Sequence, residues 1–168
     1  MPQAKPYSIS RVLNAPLALV YQVHTDPAHL AKWMSPAGFK VIKADQDFRP
    51  GGRYHYGLEG PDGMQMWGKQ IFKEIVPQSK LVYLQSFSDK DGGVSRHPMS
   101  PTWPLQMLAT TSFKDLGGGK TEVTISWQPY EATDEENATF DAARGGMDQG
   151  FAGTFANLET YLATLEKA

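Results

Sequence analysis

Alternation of apolar and polar residues is clearest at 121–128, where Thr121, Val123, Ile125 and Trp127 share one side of an extended chain and Glu122, Thr124, Ser126 and Gln128 the other. A period of two predicts a strand with one buried and one wet face. Residues 105–113 repeat it with Leu105, Met107, Ala109, Thr111 and Phe113, which predicts the partner strand. In 52–58, Tyr54, Tyr56 and Leu58 share one parity, and Arg53, His55 and Gly57 the other. Within 64–76 apolar residues occupy both parities, Trp67 and Ile71 against Met66 and Phe72, so the pattern assigns no inner face. Turn chemistry separates these runs. Pro50-Gly51-Gly52, Gly60-Pro61-Asp62-Gly63, Pro77-Gln78-Ser79 and Leu116-Gly117-Gly118-Gly119 predict hairpin connections.

Helical spacing appears towards both ends. After a strand-like start at 7–14, Pro16 suits the first turn of a helix, where a missing N–H costs nothing, and Leu17, Val20 and Tyr21 supply a short apolar face. Asp26 followed by Pro27 predicts a capped second helix through His29, Leu30 and Trp33. Thr133-Asp134-Glu135-Glu136 fits a capping box that opens one long helix. Its apolar positions Phe140, Met147, Phe151, Phe155, Leu158, Tyr161, Leu162 and Leu165 recur mostly at three- and four-residue steps. Gly145, Gly146, Gly150 and Gly153 each weaken its middle by roughly 1 kcal/mol relative to alanine. Close approach to the sheet, with some bend, is the expected reason, and room for a ligand is the alternative. The expected fold is α+β: a curved antiparallel sheet of about six to seven strands around a long C-terminal helix, with two short helices after the first strand. One domain over residues 1–168 is expected from the length.

Composition adds mainly exclusions. With 40% hydrophobic and 20% charged residues the chain has material for a core. A formal charge of -2 gives no basic field for nucleic acid, so no nucleic-acid partner is expected. The absence of cysteine removes disulfides, thiolate chemistry and cysteine metal sites. No apolar run approaches the ~18 residues of a membrane span, and no signal-type segment opens the chain, which makes the cytoplasm the expected location. The base rate of twofold assemblies makes a homodimer plausible.

His24, His29, His55 and His97 form no HExxH pair, and Gly-x-Ser-x-Gly, Walker and dinucleotide glycine patterns are absent. No catalytic residue, metal site or cofactor is therefore expected. Aromatic and methionine side chains carry more information, because where sheet and helix diverge the space must be filled by side chains or by something bound. The expected ligand wall is Tyr54, Tyr56, Trp67, Met107, Trp127, Met147 and Phe151. The connection 89–104 is long for a compact fold, and its Arg96 and His97 are the expected polar gate beneath which a ligand would enter.

Several segments in this order resemble a known family. They are Ala15-Pro16 with Val20-Tyr21 and Thr25-Asp26-Pro27 leading to Trp33; Phe48-Arg49-Pro50-Gly51-Gly52-Arg53-Tyr54; Gly60-Pro61-Asp62-Gly63 before Trp67-Gly68; Gly118-Gly119-Lys120-Thr121; and Gly146-Met147 through Gly150-Phe151. Together they resemble the START-like helix-grip superfamily, and within it the group similar to the activator of the heat-shock-protein-ninety ATPase. The resemblance spans nearly the whole chain and implies the helix-grip fold. The superfamily includes lipid carriers, polyketide cyclases and hormone receptors, so it implies a cavity more than a reaction. Binding of a small, largely apolar or aromatic molecule is the leading expectation. A cyclase or hydrolase-like enzyme using His97, Tyr54 or Tyr56 as acid or base is one alternative, and a co-chaperone-like interaction protein with a filled cavity is another. The family's co-chaperone activity belongs to eukaryotic members with an additional N-terminal domain, which is not expected at this length, so that activity is not carried over.

Overall fold

The protein is described from a computed structural model covering residues 5–34, 38–97 and 100–166. Pro98 and Met99, within the expected gate connection, lie outside the described residues. The elements are β1 (Tyr7–Leu13), α1 (Leu17–Thr25), α2 (Pro27–Trp33), β2 (Lys40–Gln46), β3 (Arg53–Glu59), β4 (Gln65–Val76), β5 (Lys80–Ser88), β6 (Val94–Ser95), β7 (Met107–Gly117), β8 (Lys120–Pro129), α3 (Asp134–Ala142) and α4 (Arg144–Glu166). All pairings are antiparallel, in the order β1-β8-β7-β5-β4-β3-β2, with the short β6 beside β5. This is the expected α+β arrangement, a curved sheet closed by a long C-terminal helix.

Local chemistry accounts for the ends of the elements. Pro16 caps α1 from an extended conformation and the helix begins one residue later, so the proline stands before the first turn and not within it. Asp26 accepts a hydrogen bond from the Ala28 amide at 2.9 Å, and Pro27 occupies the first helical position. Thr133 and Glu136 complete a reciprocal capping box at α3. The long helix expected from Thr133 onward is interrupted: α3 ends at Ala142, Ala143 adopts φ -91°, ψ 2°, and α4 starts at Arg144. The break lets Phe140 and Met147 both turn inward, into a buried group with Tyr7 and Met107.

The mixed pattern of β4 also has a physical cause. A bulge between Phe72 and Glu74 switches parity, so Gly68, Gln70 and Phe72 point inward before it and Ile75 after it. The core inside the concave face is built from Leu13, Val20, Val23, Leu30, Trp33, Phe72, Phe113, Val123, Phe155, Leu158 and Leu162. Three polar ties fix α4 and its neighbours: Tyr7 donates to Asp148 at 2.6 Å, Arg11 pairs with Glu159 at 2.5 Å, and His29 Nδ1 lies 2.7 Å from the Tyr161 hydroxyl. Burial, helped by the Asp148 carboxylate, raises the Tyr7 phenol well above its ordinary range, so it stays a donor.

The glycines of α4 do not approach the sheet. A Cβ built on Gly145, Gly146, Gly150 or Gly153 meets nothing within 4 Å, and all four are exposed. Neither close packing nor ligand room accounts for them, and the expectation of close approach is corrected. Their cost is then available for recovery: Gly150→Ala and Gly153→Ala are each expected to stabilise the protein by about 0.5–1 kcal/mol, read as a higher urea midpoint with unchanged slope.

Candidate functional site

A cavity of about 350 Å³ opens between the concave face of the sheet, α2 and the segment before β7. That volume lies in the range of small-molecule sites. Strand β3 contributes Tyr54, Tyr56 and Leu58, and β4 contributes Met66 and part of Trp67 other than its outward-facing ring. Gln85, Ser86 and Phe87 come from β5, Met107 from β7 and Trp127 from β8. The remaining wall is Leu30, Ala31 and Met34 at α2, with Val41, and His97, Trp103 and Pro104 from the long connection. Most of this surface is aliphatic, aromatic or thioether, which suits an adaptable apolar guest.

The polar groups in the wall are ordered by one another. Register places Tyr54 opposite Gln70 and Gln70 opposite Gln85, all on the inward parity. Gln70 Nε2 donates to Gln85 Oε1 at 3.0 Å, and Gln85 Nε2 donates to the Tyr56 hydroxyl at 3.0 Å. An accepting Tyr56 hydroxyl keeps its own proton for another partner. The rings of Tyr54 and Tyr56 stack with centroids 5.2 Å apart. Burial pushes the Tyr54 phenol up to about 12, with Tyr56 adding to the shift, and burial likewise raises Tyr56 although the Gln85 bond partly opposes it. Both phenols therefore act near neutrality as hydrogen-bond donors and not as bases. Trp127 Nε1 is buried with no hydrogen-bond partner among the described residues.

Tyr56 holds its position because residue 68 is glycine. A Cβ there would stand 2.4 Å from the Tyr56 hydroxyl oxygen, so Gly68→Ala is expected to displace that ring and destabilise the fold by about 1–3 kcal/mol. A lowered thermal midpoint together with a changed tyrosine near-ultraviolet signal is the expected observation.

A narrower chamber of about 80 Å³ continues beneath α4. It shares Leu30, Met34, Gln85 and Trp127 with the larger cavity and adds His24, Gln70, Tyr83, Thr111, Phe151 and Phe155 among its lining. His24 Nδ1 lies 2.7 Å from the Val20 carbonyl oxygen. A carbonyl only accepts, so Nδ1 carries the proton and Nε2 presents a lone pair. Burial lowers the His24 pKa to about 4, against a smaller opposing effect of the Val20 bond, which makes the ring neutral at pH 7.

The residues expected from sequence are distributed unevenly. Tyr54, Tyr56, Trp67, Met107, Trp127 and His97 border the larger cavity. Alternation along β4 puts the Trp67 ring on the face opposite Tyr56: it lies over Gly57, where a Cβ would be 2.6 Å from it, and beside His55 at 5.4 Å. Phe151 lines the deep chamber, with its ring edge-on to Trp127 at 5.0 Å. Met147 packs with Tyr7, Met107 and Phe140 and lines neither space. Arg96 is engaged by Glu136, the residue that also closes the α3 capping box, and by the Trp103 carbonyl at 3.3 Å. Burial works to raise the Glu136 carboxyl, but Arg96 and the Thr133 bonds outweigh it and hold the group below its ordinary range. Arg96 thereby fastens the long connection to α3. His97 packs against Phe87 at 4.7 Å on the cavity side.

Sequence reasoning missed the α2 wall of Leu30 and Met34, the amide pair and His24. Gln85 carried a usable signal, since it falls on the inward parity of β5 between Tyr83 and Phe87, where a polar side chain requires a partner.

Among solved structures, a protein from Arthrobacter aurescens is 25% identical with TM-score 0.76, covering 96% of this chain and 87% of its own. One from Nitrosomonas europaea is 21% identical with TM-score 0.74 and covers 97% of each chain. Another, from Mycobacterium smegmatis, is 23% identical with TM-score 0.73, covering 94% of this chain and 90% of that one. These likenesses establish the fold. No curated protein matches the chain significantly. The family model described as Activator of Hsp90 ATPase homolog 1-like protein matches residues 14–163, and with a match of that extent, on a helix-grip fold, the chain belongs to that family.

Proposed function

We propose that the protein binds a small, largely apolar molecule, aromatic or alicyclic, between the sheet, α2 and the 97–104 segment. The observation that carries this reading is the cavity of about 350 Å³, walled mainly by apolar side chains and flanked by polar groups with unused hydrogen-bonding capacity. Buried polar atoms are normally paired, so the orphaned Trp127 N–H supports a guest that brings an acceptor oxygen. The Tyr56 proton offers a second donor to the same guest. Of the expected wall, Tyr54, Tyr56, Met107 and Trp127 are the proposed contacts, with Leu30, Met34, Phe87 and Trp103 completing it. The interaction-protein alternative expects a filled cavity, and the space between these walls counts against it. Tyrosines pushed away from neutral titration count against the acid–base alternative.

Thermal shift with 2-acetylnaphthalene, an apolar bicycle bearing one acceptor oxygen, tests the reading. At a hundred times its dissociation constant a ligand stabilises by about 2.7 kcal/mol, roughly 5–10 °C for a chain of this size. Leu58→Trp fills the cavity from β3 and is expected to weaken binding at least about tenfold. Absence of any shift in the wild-type protein, or an undiminished shift in Leu58→Trp, would falsify the placement of the ligand.

A further inference from the structure

We propose that the deep chamber beneath α4 receives the hydroxyl or amide N–H end of the ligand, with His24 Nε2 accepting the hydrogen bond. The inference rests on the cavity reading above and adds the polarity and direction of the guest. Four residues, Leu30, Met34, Gln85 and Trp127, belong to the walls of both spaces, so the chamber is the inner continuation of the larger cavity. Its volume of about 80 Å³ admits several water-sized groups and therefore the end of a molecule.

The chemistry of that end is set by His24. The Val20 carbonyl fixes the proton on Nδ1, and the ring is clamped edge-on by Trp33 at 5.0 Å and Phe113 at 5.1 Å. Nε2 is thus a positioned acceptor, fully buried and without a partner among the described residues. Among the described residues no charged side chain lines the chamber and Tyr83 is the other titratable one, with its hydroxyl occupied by Thr111 at 3.1 Å. A neutral donor group satisfies Nε2, whereas a carboxylate would meet a lone pair and low-dielectric walls with no cation to compensate. A hydrocarbon terminus would leave the acceptor desolvated. The selected class is therefore a neutral, mostly apolar molecule with a terminal hydroxyl or amide donor, inserted donor first.

Three probes with one skeleton separate this from the broader reading: 2-naphthol, naphthalene and 2-methoxynaphthalene, titrated calorimetrically into the wild-type protein. The expected result is 2-naphthol binding about tenfold or more tighter than either of the others, with the preference lost in His24→Phe. Wild-type protein labelled with 15N at histidine gives an independent readout if that variant folds poorly: the His24 Nε2 resonance should move on adding 2-naphthol and stay in place with naphthalene. Equal affinities for the three probes, or an unmoved resonance in the 2-naphthol complex, would overturn the donor-first assignment and leave the apolar cavity standing. Binding of none of the three would overturn both.

Discussion

Replacing Phe155 by alanine is expected to lower the stability of the protein by about 3–5 kcal/mol, one of the largest effects a single core substitution can have. Phe155 is 2% exposed and sits on the inward side of α4, between the main core and the deep chamber. Removing its ring costs the transfer energy of the buried carbons. The void it leaves cannot collapse easily, because α4 is held against the sheet by the Tyr7–Asp148 and Arg11–Glu159 ties on one side and His29–Tyr161 on the other. The void would also join the existing chamber, which makes relaxation less complete still. Arg11, whose guanidinium lies 5.4 Å from the ring centroid, loses that contact too. Urea unfolding should show the loss as a lower midpoint with little change of slope, while Phe155→Leu should cost less than half as much. A loss below 1 kcal/mol for the alanine variant would mean that α4 docks through its polar ties and not through this apolar face.

The fold was readable because each periodic segment met the partner its pattern required. Thr121 to Trp127 alternates cleanly since β8 lies between β1 and β7 with one face on the core, and its inward Thr121 finds the Ala15 carbonyl at 2.8 Å. The Asp26-Pro27 and Thr133–Glu136 signals are local hydrogen-bonding arrangements, so they survive without knowledge of the tertiary structure. Two features were not readable for the opposite reason. The β4 bulge depends on the register of both neighbours, and the parity change it produces looks in the sequence like noise. The break at Ala143 falls in the seven-residue step from Phe140 to Met147, just before Gly145-Gly146, where the sequence marks a weak stretch of helix but not a stop.

The site was legible in part, along the same division. Tyr54, Tyr56, Met107 and Trp127 combine aromatic or thioether side chains with the inward parity of clean strands, and they border the cavity. Trp67 is an aromatic on a strand whose pattern assigns no inner face, and its ring turns outward, where Gly57 leaves space for it. Met147 and Phe151 lie four residues apart on α4, yet the helix crosses the sheet so that only Phe151 reaches the chamber. Arg96 carried a charge that suggested a ligand, and its carboxylate partner proved to be forty residues away, on α3. His24 could not be singled out, because what makes it an acceptor is its burial against Trp33 and Phe113, a product of how α1 packs on α2 and β7.

That burial has a second consequence, a loss of stability in mild acid. The unfolded chain holds His24 near its ordinary value of about 6.5, while the folded protein lowers it to about 4. Between those values the unfolded state binds more protons, so the contribution of the neutral ring to stability is present above about pH 6.5 and is lost as the pH falls towards about 4. The loss should amount to about 2 kcal/mol by pH 5 and about 3 kcal/mol by pH 4. His24→Phe keeps an aromatic ring against Trp33 and Phe113 and removes the titration, so its stability between pH 7 and pH 4.5 should fall less steeply than that of the wild-type protein by that amount. Other groups titrate in both proteins and cancel in the comparison. Parallel pH profiles for the two would show that acid opens the protein elsewhere. A donor ligand seated on Nε2 should steepen the wild-type profile further, because it binds only the ring whose acceptor is unprotonated.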